Sequence, residues 1–173
     1  MKNIVLIGFM GTGKTAVGKR LARRLGRQFV DTDEEIERVT GKTIPQIFAQ
    51  DGEVRFRSEE KLVIKKFSRQ EGLVIATGGG VVLDPENVAD LKRNGILICL
   101  AAAPEVIYRR VKGKKHRPLL NKKGDLQEHI KDLLAGRASF YAAADYTIDT
   151  GNFSSDEVAD KIINYLESVG FNN

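Results

Sequence analysis

The chain of 173 residues contains one cysteine, Cys99, so no disulfide can form within it. Cys99 lies inside the apolar run from Ile96 to Leu100, which is typical of a buried strand residue rather than of a nucleophile. The 2 histidines have no partners at metal-ligand spacing. No stretch approaches the roughly 20 consecutive apolar residues that cross a bilayer. We therefore expect a protein of the reducing cytoplasm, without a membrane segment.

The excess of basic residues over acidic residues is small. There are 28 lysines and arginines against 23 acids, which gives a formal net charge of +5. The basic residues alternate with acids along most of the chain, and no platform of aromatic and basic residues of the RNA-binding type is present. Small anionic ligands explain the surplus equally well. We expect no nucleic-acid partner.

The stretch from Gly8 to Thr15 matches the phosphate-binding pattern G-x-x-x-x-G-K-[ST]. An apolar run, Ile4–Ile7, precedes it, and apolar residues at helical spacing follow it, so the motif has the strand-loop-helix context that a chance glycine-rich turn would lack. In such a loop, backbone N–H groups and the helix dipole bind a polyphosphate, the lysine reaches the β- and γ-phosphates, and the hydroxyl ligates Mg²⁺. The predicted ATP-binding residues here are Gly11, Thr12, Gly13, Lys14, Thr15 and Ala16.

Strand and helix signals alternate along the rest of the chain. Further strands are predicted at Gln28–Asp31, Leu73–Ala76, Ile96–Leu100 and Tyr146–Asp149. This alternation predicts an α/β fold with a parallel sheet covered on both faces by helices. Ligands of such sheets bind at the carboxyl ends of the strands. The length, the 42% hydrophobic content and the absence of repeats or linkers predict a single domain spanning residues 1–173.

A metal-binding carboxylate is missing from two of the apolar strands, which run into Thr77 and Ala101. Asp31 and Asp33 remain as the acids nearest to the phosphate loop. Because side chains alternate along a strand, we expect both to project to the same side. One could support Mg²⁺ while the other orients or deprotonates an attacking hydroxyl. Solvated loop acids or helix caps remain an alternative for this pair.

Several further segments recur with the phosphate loop in a fixed order. They are Phe29-Val30-Asp31-Thr32-Asp33, Phe56-Arg57-Ser58-Glu59-Glu60, Ala76-Thr77-Gly78-Gly79-Gly80, Arg117-Pro118-Leu119-Leu120, and Arg137 followed by Tyr141. Over nearly the whole chain the sequence thereby resembles the shikimate kinase family of nucleoside-monophosphate-kinase-like P-loop enzymes. The resemblance implies a monomer with a three-layer α/β/α P-loop kinase fold and a five-stranded parallel sheet in the order 2-3-1-4-5. It also implies a substrate-binding helical segment at about 32–60 and a lid at about 112–124.

The resemblance implies transfer of the ATP γ-phosphoryl group to the 3-hydroxyl of shikimate, with Mg²⁺ as cofactor. Lys14, Asp33 and Arg117 would be catalytic, with Asp33 serving as a base or as an orienting group for the shikimate hydroxyls. Asp31 would hold Mg²⁺ together with Thr15. The remaining implied contacts are Arg57 and Arg137 to the shikimate carboxylate, Gly78, Gly79 and Gly80 to shikimate through main chain, Arg117 to the phosphates, and Arg110 over the adenine.

The chemistry of these residue types agrees with such roles. An arginine fork matches a carboxylate bidentately, and consecutive glycines leave no side chain between the backbone and a ligand. A cationic lid that closes over ATP excludes water from the reaction. Two alternatives stay open at this point. A gluconate kinase shares the loop but resembles D-G-D at the paired acids, and a regulatory nucleotide-binding module would need no acceptor site.

Overall fold

The computed structural model describes residues 1–112 and 125–171. The strands are β1 (Asn3–Ile7), β2 (Gln28–Asp31), β3 (Leu73–Ala76), β4 (Gly95–Ala101) and β5 (Tyr146–Asp149). The helices are α1 (Lys14–Leu25), α2 (Thr32–Thr40), α3 (Ile44–Gln50), α4 (Gly52–Ser68), α5 (Pro85–Arg93), α6 (Pro104–Val111), α7 (Leu126–Tyr141) and α8 (Ser155–Ser168), with one 3₁₀ turn at Val81–Leu83.

The strands form one parallel sheet in the order β2-β3-β1-β4-β5, which confirms the order that the resemblance implied. The first strand lies at the centre and pairs with β3 on one side and β4 on the other. The connection after β1 therefore emerges at the middle of the carboxyl edge, which is where ligands bind in open α/β sheets. The phosphate loop is this connection.

Helices cover both faces of the sheet because the central strands are apolar on both sides. Val5 and Ile7 of β1 pack into one cluster with side chains of α2, α3, α4 and α5. The alternate residues Ile4 and Leu6 pack into a second cluster with side chains of α1 and α8. All four of these β1 side chains are fully buried. The result is the predicted three-layer α/β/α arrangement.

The main difference from the sequence-based prediction is the start of α2. The alternation argument treated Asp31 and Asp33 as strand residues, but α2 begins at Thr32, because the Asp31 carboxylate accepts a hydrogen bond from the Asp33 backbone N–H and caps the helix. Asp33 therefore lies in the first turn of a helix, and the argument from strand alternation was wrong as a reason for placing the two acids together.

Within the described ranges, no helix has the length and apolar character needed to cross a bilayer. Of the predicted lid at about 112–124, only Lys112 falls inside those ranges. The predicted substrate-binding segment at about 32–60 corresponds to α2, α3 and the first half of α4. These three helices pack against the face of the sheet opposite α1 and α8.

Candidate active site

The phosphate loop between β1 and α1 depends on glycine for its shape. Gly8, Gly11 and Gly13 all have positive φ, at 138°, 78° and 98°. A Cβ atom at Gly8 would collide with the Leu100 carbonyl oxygen, and one at Gly11 would lie 2.8 Å from Val111 Cγ1. The loop is therefore pressed against the end of β4 and against α6, which fixes its curvature.

The side chains of the loop divide between ligand-facing and internal positions. Lys14 is the first residue of α1, and its Nζ donates to the carbonyl oxygens of Gly8 and Phe9 at 2.7 and 2.9 Å. The ammonium group thus lies over the concave face of the loop. The Thr12 side chain is buried, and its hydroxyl donates to the Phe9 carbonyl at 2.8 Å, so it braces the loop from behind.

A cleft of about 380 Å³ opens over the loop at the carboxyl edge of the sheet. It brings together residues that are far apart in sequence: Met10, Gly11, Gly13, Lys14, Thr15, Ala16, Asp31, Asp33, Thr77, Gly79 and Arg110. Most of the residues predicted to bind the nucleotide or the metal are in this set. Thr12 is not, and instead lines an apolar cavity of about 320 Å³ behind the loop.

Thr15 and Asp31 form the part of the cleft that could hold a divalent cation. The Thr15 hydroxyl donates to Asp31 Oδ2 at 2.8 Å, while Asp31 Oδ1 accepts from the Asp33 backbone. These oxygen donors suit Mg²⁺, which typically uses one or two protein ligands and completes its shell with phosphates and water. In the described part of the chain, no group of three or more His, Cys, Asp or Glu side chains could form a metal cage, so the residues fit a cation shared with a phosphate ligand.

Arg57 lies on α4 and is held by acids of the same helix. Its Nη1 donates to Glu60 Oε1 at 2.8 Å and its Nη2 donates to Glu53 Oε1 at 3.3 Å. Glu60 is only 1% exposed, and this burial raises its carboxyl pKa, while the Arg57 guanidinium opposes the shift.

Arg137 reaches the same region from α7. Its side chain is 6% exposed, and its guanidinium stacks over the Phe9 ring at 5.6 Å. Buried atoms Arg137 Nη1 and Glu60 Oε2 have no hydrogen-bond partner in the described structure. A buried donor of this kind is costly unless a ligand supplies the acceptor, which is what a substrate carboxylate would do for Arg137.

The run Gly78–Gly80 lies between these groups and the phosphate loop. A Cβ at Gly78 would lie 2.8 Å from Asp33 Oδ1, and one at Gly80 would lie 2.5 Å from Arg57 Nη1. At Gly79 it would meet the Met10 backbone nitrogen at 3.3 Å and Arg137 Nη1 at 3.7 Å. The structure thus brings Asp33, Arg57 and Arg137 around one glycine run, the residues that the resemblance assigns to shikimate.

Arg110 on α6 is tied to the nucleotide side of the cleft. Its guanidinium donates to the Gly11 carbonyl at 3.3 Å, to the Thr150 hydroxyl at 3.1 Å and to the Thr150 carbonyl at 2.7 Å. The Thr150 hydroxyl in turn donates towards the carbonyls of Thr12 and Ala101. Thr150 follows β5 directly. The sequence patterns did not single it out, although a polar residue directly after a predicted strand could have marked it as a site residue.

Arg117 lies outside the described residues, so its predicted place over the phosphates stays a prediction.

Two other residues near the glycine run, Thr32 and Tyr141, belong to the sequence motifs but had no predicted role. The Thr32 hydroxyl accepts a hydrogen bond from the Gly78 backbone, and the Tyr141 hydroxyl donates to the Gly79 carbonyl. Contacts between side-chain hydroxyls and a distant backbone leave no signature in spacing or composition.

Comparison with known proteins agrees with this geometry. The shikimate kinase family profile matches residues 10–167. Shikimate kinase of Pelotomaculum thermopropionicum is 63% identical over 171 residues, covering 99% of each chain, and that of Desulforudis audaxviator is 56% identical, covering 99% of this chain and 89% of its own. The structure of Acinetobacter baumannii shikimate kinase in complex with shikimate has a TM-score of 0.94 at 42% identity, covering 97% of this chain and 94% of that one. The chain belongs to the shikimate kinase family and has its P-loop kinase fold.

Proposed function

We propose that this protein transfers the γ-phosphoryl group of ATP to the 3-hydroxyl of shikimate, giving shikimate 3-phosphate and ADP in chorismate biosynthesis. The observation that carries the proposal is the two-sided site. A phosphate loop lies on one side of Gly79, and two buried or half-buried arginines lie on the other. A protein that only bound nucleotide would have no use for the second half.

The donor half consists of the loop from Gly8 to Thr15 and Arg110. Backbone N–H groups at the start of α1 would bind the phosphates, and Lys14 would turn from the loop carbonyls to the β- and γ-phosphates. Hydrogen bonds to Thr150 hold Arg110 beside the loop, where it would lie over the adenine. Arg117 would add positive charge where the transferred group passes, as arginine fingers do.

The acceptor half consists of Arg57, Arg137, Asp33 and the run Gly78–Gly80. The two guanidinium groups would bind the shikimate carboxylate, which would pair the buried Arg137 Nη1. Asp33 would accept a hydrogen bond from a hydroxyl at the other end of the ring. A rigid acid held at both ends presents its 3-hydroxyl in one orientation, and such positioning is a large part of phosphoryl-transfer catalysis.

The reaction forms a bond between the 3-hydroxyl oxygen and the γ-phosphorus and breaks the bond to the β,γ-bridging oxygen. The hydroxyl proton goes to Asp33 as base, or to solvent if Asp33 only orients the hydroxyl. Lys14 would stabilise charge on the phosphate oxygens as the leaving ADP separates. Thr15 and Asp31 would hold Mg²⁺, which supplies charge neutralisation at the β- and γ-phosphates when bound. We further propose that the protein acts as a monomer in the cytoplasm.

The direct test is ATP-dependent ADP release, measured in a coupled assay with and without shikimate. Gluconate and nucleoside monophosphates serve as competing acceptors in parallel reactions. We expect release that depends on shikimate and stays at the background level with the other acceptors. Release driven by gluconate, or tight salt-sensitive RNA binding without kinase activity, would overturn the proposal.

Variants locate the activity in the proposed site. Asp33→Asn and Arg57→Ala should each lower kcat/KM for shikimate at least about 100-fold without unfolding the protein. The matched control is Arg55→Ala, on the same helix, because Arg55 pairs with Glu59 at the surface and its side chain is 62% exposed. If Asp33→Asn or Arg57→Ala kept near-normal turnover, indistinguishable from that of Arg55→Ala, the replaced residue would have no part in the mechanism.

A further inference from the structure

The run Gly78–Gly80 borders both halves of the site, yet it has no side chains with which to fix its own position. Neighbouring groups approach it so closely that a Cβ at Gly78 or Gly80 would overlap Asp33 or Arg57. A displacement of this backbone by even a fraction of an ångström would therefore change the distance between the acceptor-binding groups and the phosphate loop. Some other part of the chain must hold it.

One hydrogen bond to the run comes from Thr32, the residue between the paired acids. Its Oγ1 accepts from the Gly78 backbone N–H at 3.1 Å, and the Thr32 side chain is fully buried. Because Thr32 is the first residue of α2, this bond ties the turn that bears Asp31 and Asp33 to the start of the glycine run. A buried N–H that lost this acceptor would have no water to replace it.

A second hydrogen bond comes from the opposite side of the run. The Tyr141 hydroxyl, at the end of α7, donates to the Gly79 carbonyl at 2.8 Å. The Tyr141 ring is packed against two apolar clusters, so the hydroxyl has little freedom to move. Burial raises the pKa of Tyr141 to about 12, which keeps the donor protonated throughout the neutral range. Tyr141 lies one helical turn after Arg137, and the same turn of α7 therefore serves both the carboxylate site and the glycine run.

We propose that Thr32 and Tyr141 are positioning residues that clamp Gly78–Gly79 from two sides and so set the geometry of the shikimate site. The proposal rests on the proposed function, since shikimate is the acceptor whose binding it explains. It also gives a physical reason for threonine between the two acids: a glycine at that position, as in D-G-D, has no oxygen to accept from the Gly78 N–H.

Thr32→Val and Tyr141→Phe test the clamp, because each removes a hydroxyl while nearly keeping the side-chain shape. We expect each to raise KM for shikimate about 5- to 50-fold and the double variant to raise it further, with KM for ATP within about twofold of wild type. Thr32→Ser keeps the acceptor and should restore most of the loss. A general loss of structure would instead raise both KM values and would not be rescued by serine.

Matched controls remove equivalent hydroxyls away from the site. Thr40→Val deletes a bond from the Thr40 hydroxyl to the Ile36 carbonyl within α2, and Tyr165→Phe deletes one to the Asp145 carbonyl. Both should leave the KM for shikimate unchanged. If the site variants behaved like these controls, or if serine failed to rescue Thr32→Val, the clamp would be wrong.

Amide exchange, followed by NMR, separates failure of the clamp from failure of the proposed function. Thr32→Val should speed exchange of the Gly78 amide at least about tenfold, while Thr40→Val should not. If the wild-type protein showed no shikimate-dependent ADP release, but Thr32→Val still sped exchange of the Gly78 amide, the proposed function would be refuted and the clamp would stand. Unchanged exchange at Gly78 in an active enzyme would refute the clamp alone.

Discussion

Replacing Gly80 by alanine adds one methyl group at the point where the glycine run meets Arg57. The added Cβ would lie 2.5 Å from Nη1, 2.6 Å from Nη2 and 2.8 Å from Cζ of Arg57. Ordinary contact distances are near 3.5 Å, so the guanidinium must retreat by about 1 Å. Gly80 has φ of −98°, a conformation that alanine adopts freely, and the change therefore acts through contact and not through backbone strain.

Moving the guanidinium costs free energy, because Glu60 and Glu53 accept hydrogen bonds from its two ends. A guanidinium that stays would meet the methyl group, and one that moves would be misaligned with the shikimate carboxylate that we propose it binds. A charge-assisted hydrogen bond contributes about 1.5–3 kcal/mol, and each 1.4 kcal/mol is a factor of ten. We therefore expect Gly80→Ala to raise KM for shikimate roughly 10- to 100-fold, with KM for ATP little changed.

The assay is coupled ADP release at saturating ATP over a range of shikimate concentrations. Gly136→Ala is the control, since Gly136 precedes Arg137 in α7 and an added Cβ there meets nothing within 4 Å. Alanine inside a helix should raise stability by about 0.5–1 kcal/mol and leave both KM values unchanged. A KM for shikimate in Gly80→Ala within twofold of wild type would refute the steric reasoning.

Three further predictions concern other parts of the molecule. Burial raises the pKa of the Cys99 thiol to about 11. A disulfide reagent at pH 8 should therefore leave the native protein unlabelled over minutes, but should label the unfolded chain at one site. Rapid labelling of the native protein would contradict this prediction. Hydrogen bonds from Arg38 and Lys66 lower the pKa of Glu35 to about 2. Glu35→Gln should therefore reduce the free energy of unfolding by about 1 kcal/mol at pH 7, and urea titrations should show this difference shrinking as the pH falls from about 4.5 towards 2, where the ion pairs are lost. Thr150→Val should raise KM for ATP about tenfold and spare KM for shikimate, and the reverse pattern in the same coupled assay would contradict the role of Thr150 beside the phosphate loop.

The elements of the fold followed closely from local sequence signals. The strands Gln28–Asp31, Leu73–Ala76 and Tyr146–Asp149 have the predicted bounds, because each is a short segment rich in β-branched or aromatic residues. Capping boxes at Thr43 and Ser154, of a kind that the sequence pattern itself displays, start α3 and α8. The order of the strands in the sheet came from the resemblance, since local patterns do not determine which strands are neighbours.

The site was less accessible to sequence reasoning wherever it depends on contacts between distant segments. Asp31 and Asp33 were placed together by strand alternation, whereas a helix cap brings them into one cleft. The capping alternative and the functional one prove compatible, because Asp31 uses one carboxylate oxygen for the cap and the other for Thr15. Two oxygens on one carboxylate allow a structural role and a ligand role together.

The side chains around the glycine run give a physical reason to expect that the proposed acceptor site selects an acid. Glu60 and Glu53 accept hydrogen bonds from Arg57, whereas the buried Arg137 Nη1 has no acceptor within the described structure. Burying a donor without an acceptor is costly, and the two N–H groups of an arginine fork match the two oxygens of a carboxylate. The shikimate carboxylate would supply an acceptor for Arg137 Nη1. A neutral polyol of the same size would offer Arg137 Nη1 no charged acceptor, so discrimination would come from this unsatisfied donor as well as from the shape of the pocket.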